Sequence, residues 1–351
     1  MSDAADPASA APPEVAKPAN GGLLATPETI GVRAMGWLSK YGTLAALGVM
    51  VAGFGIASPN AFLTSPNLIN VLNQAALLAI VAGGLTFPLI AGQFDLSFAT
   101  LISLAGILVI GLMTNQGLPW WLAVPIVIVV GGLIGLINGV IVTSFRVSSI
   151  VTTLGMSTII VGLNYAYSNG IPIPLGAQAK GGPFVQLAQG RFLGIPLPVF
   201  FMAAILIALW ILLNRTRFGH HTQAIGSNPV AAALSGVRVA RITIGSFVIA
   251  SACAATAGIL LSARIGSGQV TAGDGFLLST FAAVFLGAAV LRDREFHIIG
   301  SFIGVLFVAI GFNGLSILGA PTHVQFFFQG GVLIIATALS TATAKRNELR
   351  R

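Results

Sequence analysis

Hydrophobic and polar positions fall in long blocks along this chain, so that apolar stretches alternate with short polar segments. Ten of these stretches approach the roughly 20 residues that a helix needs to cross a lipid bilayer. They cover residues 42–58, 69–91, 94–114, 119–144, 147–167, 196–213, 242–263, 274–291, 296–318 and 323–342. The third stretch contains Asp95 near its start, and the eighth is short. The pattern predicts an all-α, polytopic membrane protein with about ten transmembrane helices.

The composition agrees with this class and narrows it. Hydrophobic residues make up 56% of the chain and charged residues 7%, whereas a soluble domain carries roughly 25% charged residues. The single cysteine, Cys253, excludes a disulfide framework. No metal site is predicted, because none of the four histidines has a second ligand at a suitable spacing: His220, His221, His297 and His323. In a membrane protein the net charge of +8 is distributed by topology, so we expect no nucleic-acid partner.

The distribution of positive charge predicts which ends of the helices face the cytoplasm. With a cytoplasmic N-terminus and ten spans, only Lys180, Arg191 and Arg264 of the 17 Lys and Arg residues fall outside, leaving 14 inside. This asymmetry satisfies the positive-inside rule and places both termini in the cytoplasm. We predict a disordered N-terminal tail over residues 1–40, a transmembrane domain over 41–343, and a basic tail over 344–351. The outer loop 168–195 is rich in Pro and Gly and is expected to be irregular.

A compact helix signal lies in the basic loop 214–241. Asn228 is a good N-cap, Pro229 suits the first helical position, and Gly236 suits a left-handed stop. These residues predict a helix of about seven residues, roughly 10 Å long. Its expected surface is small and able to enter a groove on a partner, since it consists of Ala231, Ala232, Ala233 and Ser235. The alternative is an ordinary capped turn between two spans.

The residues expected of an enzyme or an ion-coupled transporter are missing from the predicted spans. They contain no paired carboxylates, and histidines occur only at the ends of two of them, as His297 and His323, so no catalytic residue is proposed and coupling to an ion gradient is disfavoured. The chain also has no Gly-Lys dipeptide, and therefore no P-loop for ATP. We expect energy to come from a separate ATPase that carries ATP and Mg²⁺, while this chain binds no cofactor.

Neutral amides are the main polar groups within the predicted spans: Asn73, Gln74, Asn138, Asn164 and Asn313. They suit the transit of a polyhydroxylated solute, whose hydroxyl groups need hydrogen-bond partners. The alternative role is to hold helices together, at about 0.6 kcal/mol each.

Asp95 and Ser97 lie where one predicted span follows another almost without a loop. A charge at the bilayer centre costs roughly 2.5–3.5 kcal/mol, so Asp95 is expected at an interface or in a polar cavity. It either caps the third span, near the positive end of its dipole, or lies in a translocation path.

Several motifs resemble the ribose permease family of ABC transporters. Within the loop 214–241 the similar residues are Arg215-Thr-Arg-Phe-Gly219, Ala224-Ile-Gly226, Asn228, Ala231-Ala232 and Ser235-Gly236. The segment ending in Asp95-Leu-Ser97 is similar to the family's Gly-Gly-Ile-Asp-Leu-Ser signature, and Thr153-Leu-Gly155 to a motif of its fifth span. Two segments depart from the family: Ser148-Ser149-Ile150 replaces Pro-Phe-Ile, and a charged stretch, 291–297, replaces a Gly-rich turn.

The resemblance implies the permease subunit of a bacterial inner-membrane ABC importer for a monosaccharide or related polyol. It further implies a second copy of this chain, a cytoplasmic ATPase and a solute-binding protein outside. The implied ATPase-coupling residues are Arg215, Arg217, Gly219, Gly226, Asn228, Ala231, Ala232, Ser235 and Gly236. Three alternatives stay open: a nucleoside permease, a branched-chain amino acid permease, and an autonomous secondary transporter. The Asp-Leu-Ser signature favours sugars over amino acids.

Overall fold

The chain is almost entirely helical in the computed structural model, which describes the backbone of residues 30–176, 181–288 and 296–348. The helices are α1 (Ile30–Ala57), α2 (Pro59–Phe62), α3 (Ser65–Ile90), α4 (Phe98–Thr114), α5 (Trp120–Ser144), α6 (Ser149–Ser168), α7 (Pro183–Gln189), α8 (Leu197–Arg215), α9 (Arg217–Ser227), α10 (Pro229–Leu234), α11 (Val239–Ile265), α12 (Asp274–Ala288), α13 (Ile298–Ile317) and α14 (Thr322–Glu348). Four two-residue strands complete the structure: β1 (Ile173–Pro174), β2 (Arg191–Phe192), β3 (Ile195–Pro196) and β4 (Ser267–Gly268).

Each of the ten apolar stretches coincides with one of these helices, which confirms the all-α, polytopic prediction. Within the described residues, six helices are long and apolar enough to cross a membrane: α3, α5, α6, α8, α11 and α13. Shorter apolar segments lie in α1, α4, α12 and α14. The predicted third span started at residue 94, but α4 begins only at Phe98 because the preceding residues form a hydrogen-bonded turn.

The core lies around α3 and α11, and glycines allow its helices to approach closely. On α5, a Cβ atom at Gly135 would lie 2.5 Å from the carbonyl oxygen of Phe247 on α11. On α13, a Cβ atom at Gly304 would lie 1.9 Å from the carbonyl oxygen of Ala283 on α12. Gly131, Gly135 and Gly139 on α5, and Gly300 and Gly304 on α13, lie four residues apart in the sequence and pack closely against neighbouring helices. Small residues at such spacing usually have this role in membranes.

The outer loop 168–195 is more ordered than its composition predicted. It contains α7, whose Phe184, Val185 and Ala188 are buried. Strand β1 of this loop pairs with β4, which follows α11, and β2 pairs with β3 in a hairpin at the end of the loop. The prediction of an irregular loop was wrong for residues 183–189, because Pro183 occupies the first turn of a helix, where its missing N–H costs nothing. Burial of the apolar face of α7 then stabilises the helix.

The N-terminal boundary also differs from the prediction. Helix α1 begins at Ile30, so residues 30–40 of the predicted tail are helical, while residues 1–29 lie outside the described part of the chain. The sequence has no proline between residue 27 and the first span, so a helix is free to extend backward from it. At the other end α14 continues to Glu348. The departing segment 291–295 lies outside the described residues.

The helices place the polar loops at two opposite ends of the bundle. We call the inner end the one that holds the C-terminus of α3, the loop 91–97, the loop 145–148, α9 and α10. The outer end holds the N-terminus of α3, α7 and the C-terminus of α13. Arg146 and the arginines of 215–241 lie at the inner end, and Arg191 and Arg264 at the outer end. This grouping agrees with the predicted cytoplasmic position of the inner end.

Candidate functional site

Helices α9 and α10 form a continuous capped unit at the inner end. The Thr216 hydroxyl accepts the Gly219 N–H at the start of α9. Asn228 begins α10, where its Oδ1 accepts the N–H groups of Val230 and Ala231, each at 3.0 Å. Gly236 has φ +85°, the left-handed region that favours glycine. The predicted cap and stop are confirmed, with six helical residues instead of about seven.

The face that α10 presents to solvent differs from the predicted one. Ala232 is only 5% exposed, because it packs with Ala91 and Ile225. The expectation that Ala232 forms part of the free surface is therefore wrong. A helix this short must bury one side against the bundle, and its 3.6-residue period turns Ala232 to that side. The large exposed side chains of α10 are Val230, 67% exposed, and Leu234, 86% exposed. This i, i+4 apolar pair is not part of the surface predicted from the sequence, although its spacing along the chain could have revealed it.

Two glycines allow α9 to lie directly on the bundle. A Cβ atom at Gly226 would lie 2.1 Å from the carbonyl oxygen of Ile90, at the end of α3. One at Gly219 would lie 1.9 Å from the carbonyl oxygen of Leu213 on α8. These two residues of the predicted ATPase-coupling set therefore allow α9 to pack against α3 and α8. Apart from the buried Ala232, the other members of the set are exposed: Arg215, Arg217, Asn228, Ala231, Ser235 and Gly236.

Asp95 and Ser97 belong to a buried hydrogen-bond network at the inner end. Asp95 Oδ1 accepts the Ser97 N–H at 2.9 Å and the Ser97 hydroxyl at 2.6 Å, and Asn138 Nδ2 donates to Ser97 Oγ at 2.9 Å. Burial raises the pKa of the Asp95 carboxyl in this loop, while the hydrogen bonds from Ser97 lower it. The network joins the start of α4 to α5. Of the two roles left open for Asp95, this geometry favours the cap, which stays a prediction.

Hydroxyl groups of α6 complete the same turn. Ser149 Oγ accepts the N–H of Phe94 at 3.0 Å, and Thr153 Oγ1 accepts the N–H of Leu96 at 3.1 Å. Ser149 lies in the segment that departs from the family pattern. The serine found here in place of the family's residue therefore accepts a hydrogen bond from the turn that contains Asp95.

The five amides of the predicted solute path are not brought together. Asn73 accepts two hydrogen bonds from Arg264, through its backbone oxygen at 2.9 Å and its Oδ1 at 3.2 Å. Asn138 lies with Ser97 at the inner end. Asn164 is buried in α6, and its amide has no hydrogen-bond partner among the described residues. Only Gln74 and Asn313 line one cavity.

That cavity lies at the outer end, between α3, α13 and α14, and has a volume of about 360 Å³. It is lined by Asn67, Asn70, Gln74, Phe312, Asn313, Ser316, Ile317 and Gln325, none of which is charged. Asn67 and Asn313 exchange two hydrogen bonds at 3.0 and 2.9 Å, which fixes α3 against α13. Among the described residues, no group of three or more His, Cys, Asp or Glu side chains is placed to hold a metal.

Comparison with known proteins identifies the class of this chain. Residues 67–337 match the family described as branched-chain amino acid transport system / permease component. The ribose import permease of Escherichia coli is 35% identical over 303 residues, which cover 86% of this chain and 93% of that protein. No solved structure matches significantly.

Two further relatives are named after other sugars. The D-allose transport system permease of Escherichia coli is 31% identical over 306 residues, 87% of this chain and 93% of that protein. The L-arabinose ABC transporter permease of Azospirillum brasilense is 30% identical over 313 residues, 89% of this chain and 90% of that protein. These matches and the apolar helices identify a multi-pass protein of the bacterial inner membrane. The chain belongs to this permease family, among its monosaccharide ABC-transporter members.

Proposed function

We propose that two copies of this chain form the pathway through which an ABC importer moves a neutral monosaccharide or related polyol. The choice of a neutral solute rests on the cavity at the outer end, which is lined by amides and has no charged residue. The sugar names of the relatives agree with it. A solute-binding protein delivers the sugar to this outer end, and a separate ATPase at the inner end holds ATP and Mg²⁺.

The ATPase docks on α10 through Val230 and Leu234. These two apolar side chains are exposed one helical turn apart at the inner end, and Arg217, Arg238 and Arg241 of the loop 214–241 are exposed as well. Large apolar side chains exposed together in a basic loop are typical of a protein contact. A short helix that inserts its apolar face into a groove is a recurring mode of recognition.

Helix α3 connects the docking helix to the cavity. Ala232 on the buried face of α10 packs on Ala91, the C-cap residue that follows α3. The opposite end of α3 carries Asn67, Asn70 and Gln74. The helix has 26 residues, which corresponds to about 39 Å. Closure of the ATPase around ATP therefore moves α10, and α3 transmits that movement to the cavity, alternating its access between the two sides.

The other solute classes fit the cavity less well. A branched-chain amino acid carries a carboxylate and an ammonium group, and burying these without charged partners is costly. The eight lining residues offer no such partner. An autonomous secondary transporter would leave the exposed Val230–Leu234 pair without a function.

The proposal is tested by uptake into proteoliposomes that contain the chain, the ATPase that it retains on purification, and the solute-binding protein. We expect radiolabelled D-ribose, D-allose or L-arabinose to accumulate only with enclosed ATP. Leucine and uridine serve as competing solutes. Uptake of leucine or uridine instead of a sugar would exclude the monosaccharide assignment. Uptake by the chain alone, driven by a proton or sodium gradient, would exclude the ABC mechanism.

A further inference from the structure

Three amides share one face of α3 at the outer end. Asn67, Asn70 and Gln74 are three and four residues apart, the spacing that aligns side chains on a helix. They line the cavity together with Asn313 and Ser316 of α13 and Gln325 of α14. The cavity's volume of about 360 Å³ lies in the range of small-molecule binding sites.

The amides of this cavity fall into two groups. Asn67 and Asn313 are committed to each other, and Asn67 Nδ2 also donates to the backbone oxygen of Phe62 at 2.8 Å. In contrast, the side chains of Asn70, Gln74 and Gln325 make no hydrogen bond to another described residue. The first group forms a fixed wall, and the second group keeps its donors and acceptors free.

The exposure of the free amides is costly unless water or a solute contacts them. Gln74 lies five residues inside the predicted span 69–91, or about 8 Å along the helix axis from the start of that span. Lipid tails offer no hydrogen bonds, and an unsatisfied polar group there costs several kcal/mol. Asn70 and Gln74 are both exposed, so this face of α3 must line an aqueous path and not contact lipid.

We propose that this cavity is the site at which the permease first binds its solute, a neutral polyhydroxylated ring. Asn70, Gln74 and Gln325 exchange hydrogen bonds with the hydroxyl groups, because each amide offers both donors and an acceptor. Phe312 and Ile317 contact the apolar C–H face of the ring. The site rests on the proposed sugar transport, and it assigns the initial recognition to α3, α13 and α14.

Protection of an introduced thiol tests the position of the site in the complete transporter. The chain's own thiol, Cys253, is buried, so Asn70→Cys and Gln325→Cys can be labelled with an impermeant maleimide. We expect saturating D-ribose, D-allose or L-arabinose, whichever is transported, to slow labelling at least about threefold, while leucine has no effect. Asn115→Cys is the matched control, since Asn115 is an exposed amide at the outer end that does not line the cavity.

Transport kinetics provide the second measurement. Loss of a hydrogen bond of about 1–1.5 kcal/mol predicts that Gln74→Leu raises the transport KM about fivefold to tenfold. Asn115→Leu should leave KM within twofold, and both variants should retain the ATPase.

The possible outcomes distinguish an error in the proposed binding site from an error in the proposed transport function. Normal sugar transport with unprotected thiols and an unchanged KM in Gln74→Leu would overturn the site alone. Absence of transport of all three sugars by the unmodified complex would overturn the proposed function and the site with it. Protection by leucine would overturn a site for neutral rings.

Discussion

The residues at the two ends of α3 differ in how they pack and in whether they form hydrogen bonds. At the inner end, Ala91 packs with Ala232 and Ile225, and Gly226 lies against the Ile90 carbonyl oxygen without space for a Cβ atom. At the outer end, Asn70 and Gln74 face an open cavity and bond to no other described residue. One end is a dry contact between small groups, and the other is a polar surface with unused hydrogen-bonding capacity.

This difference indicates separate tasks for the two ends. A close-packed contact transmits displacement because it has no slack to absorb it. Free amides in a hydrated cavity can exchange water for hydroxyl groups at little net cost, so a solute can bind and also leave. Changes at the inner end should therefore alter coupling to the ATPase, and changes at the outer end should alter solute affinity.

The largest effect is expected from Ala232→Trp. The side chain is buried between α10 and the end of α3, and a Trp there must push the docking helix off the bundle. Transport should be abolished and the ATPase lost on co-purification, while membrane insertion is normal. Insertion is checked by the amount of protein in the membrane. A variant that inserts normally, keeps the ATPase and still transports would disprove the seating role of Ala232.

The next effect concerns the exposed pair of α10. Leu234→Ala removes a side chain that is 86% exposed, and loss of an interface hot spot costs about 2 kcal/mol. We expect retention of the ATPase to weaken about thirtyfold, with an unchanged ranking of solutes in competition uptake. Phe145→Ala is the matched control, because Phe145 is an apolar residue of the inner end, 72% exposed, outside α10. Equal effects of both substitutions would contradict docking through α10.

A third prediction concerns how the outer end is held together. Arg264 binds Asn73 through two hydrogen bonds and thereby joins α11 to α3. Arg264→Met should lower the stability of the purified protein by about 1.5–3 kcal/mol, the value of hydrogen bonds to a charged group. Thermal unfolding in detergent measures this loss. Arg191→Met, in the exposed β2–β3 hairpin, should change stability by less than about 0.5 kcal/mol. A loss of solute affinity without a loss of stability would instead place Arg264 in the path.

The smallest effect is expected from Asp95→Asn. Asn retains the oxygen that accepts hydrogen bonds from Ser97 but lacks the negative charge favoured at a helix start, which contributes about 0.3–1 kcal/mol. The amount of assembled transporter should fall severalfold at most, and the solute ranking should not change. Competition uptake, corrected for protein amount, measures both. A changed ranking would move Asp95 from the cap into the pathway.

The sequence determined the features that depend on neighbouring residues. The positions of the ten apolar helices follow from the lengths of the apolar stretches, and the start and stop of α10 follow from Asn228, Pro229 and Gly236. The glycines at four-residue spacing marked the faces on which helices pack. Each of these signals depends on residues within a few turns of one helix, so it can be found from the sequence alone.

The tertiary structure alone decided which of these elements meet. Asn67 and Asn313 are 246 residues apart in the chain, and neither the spacing nor the type of an amide shows whether it pairs, as these two do, or remains free like Gln74. The burial of Ala232 likewise depends on Ala91 lying beneath it. Local propensity fixes where a helix begins and ends, but the neighbour on each face is set by the packing of the whole bundle.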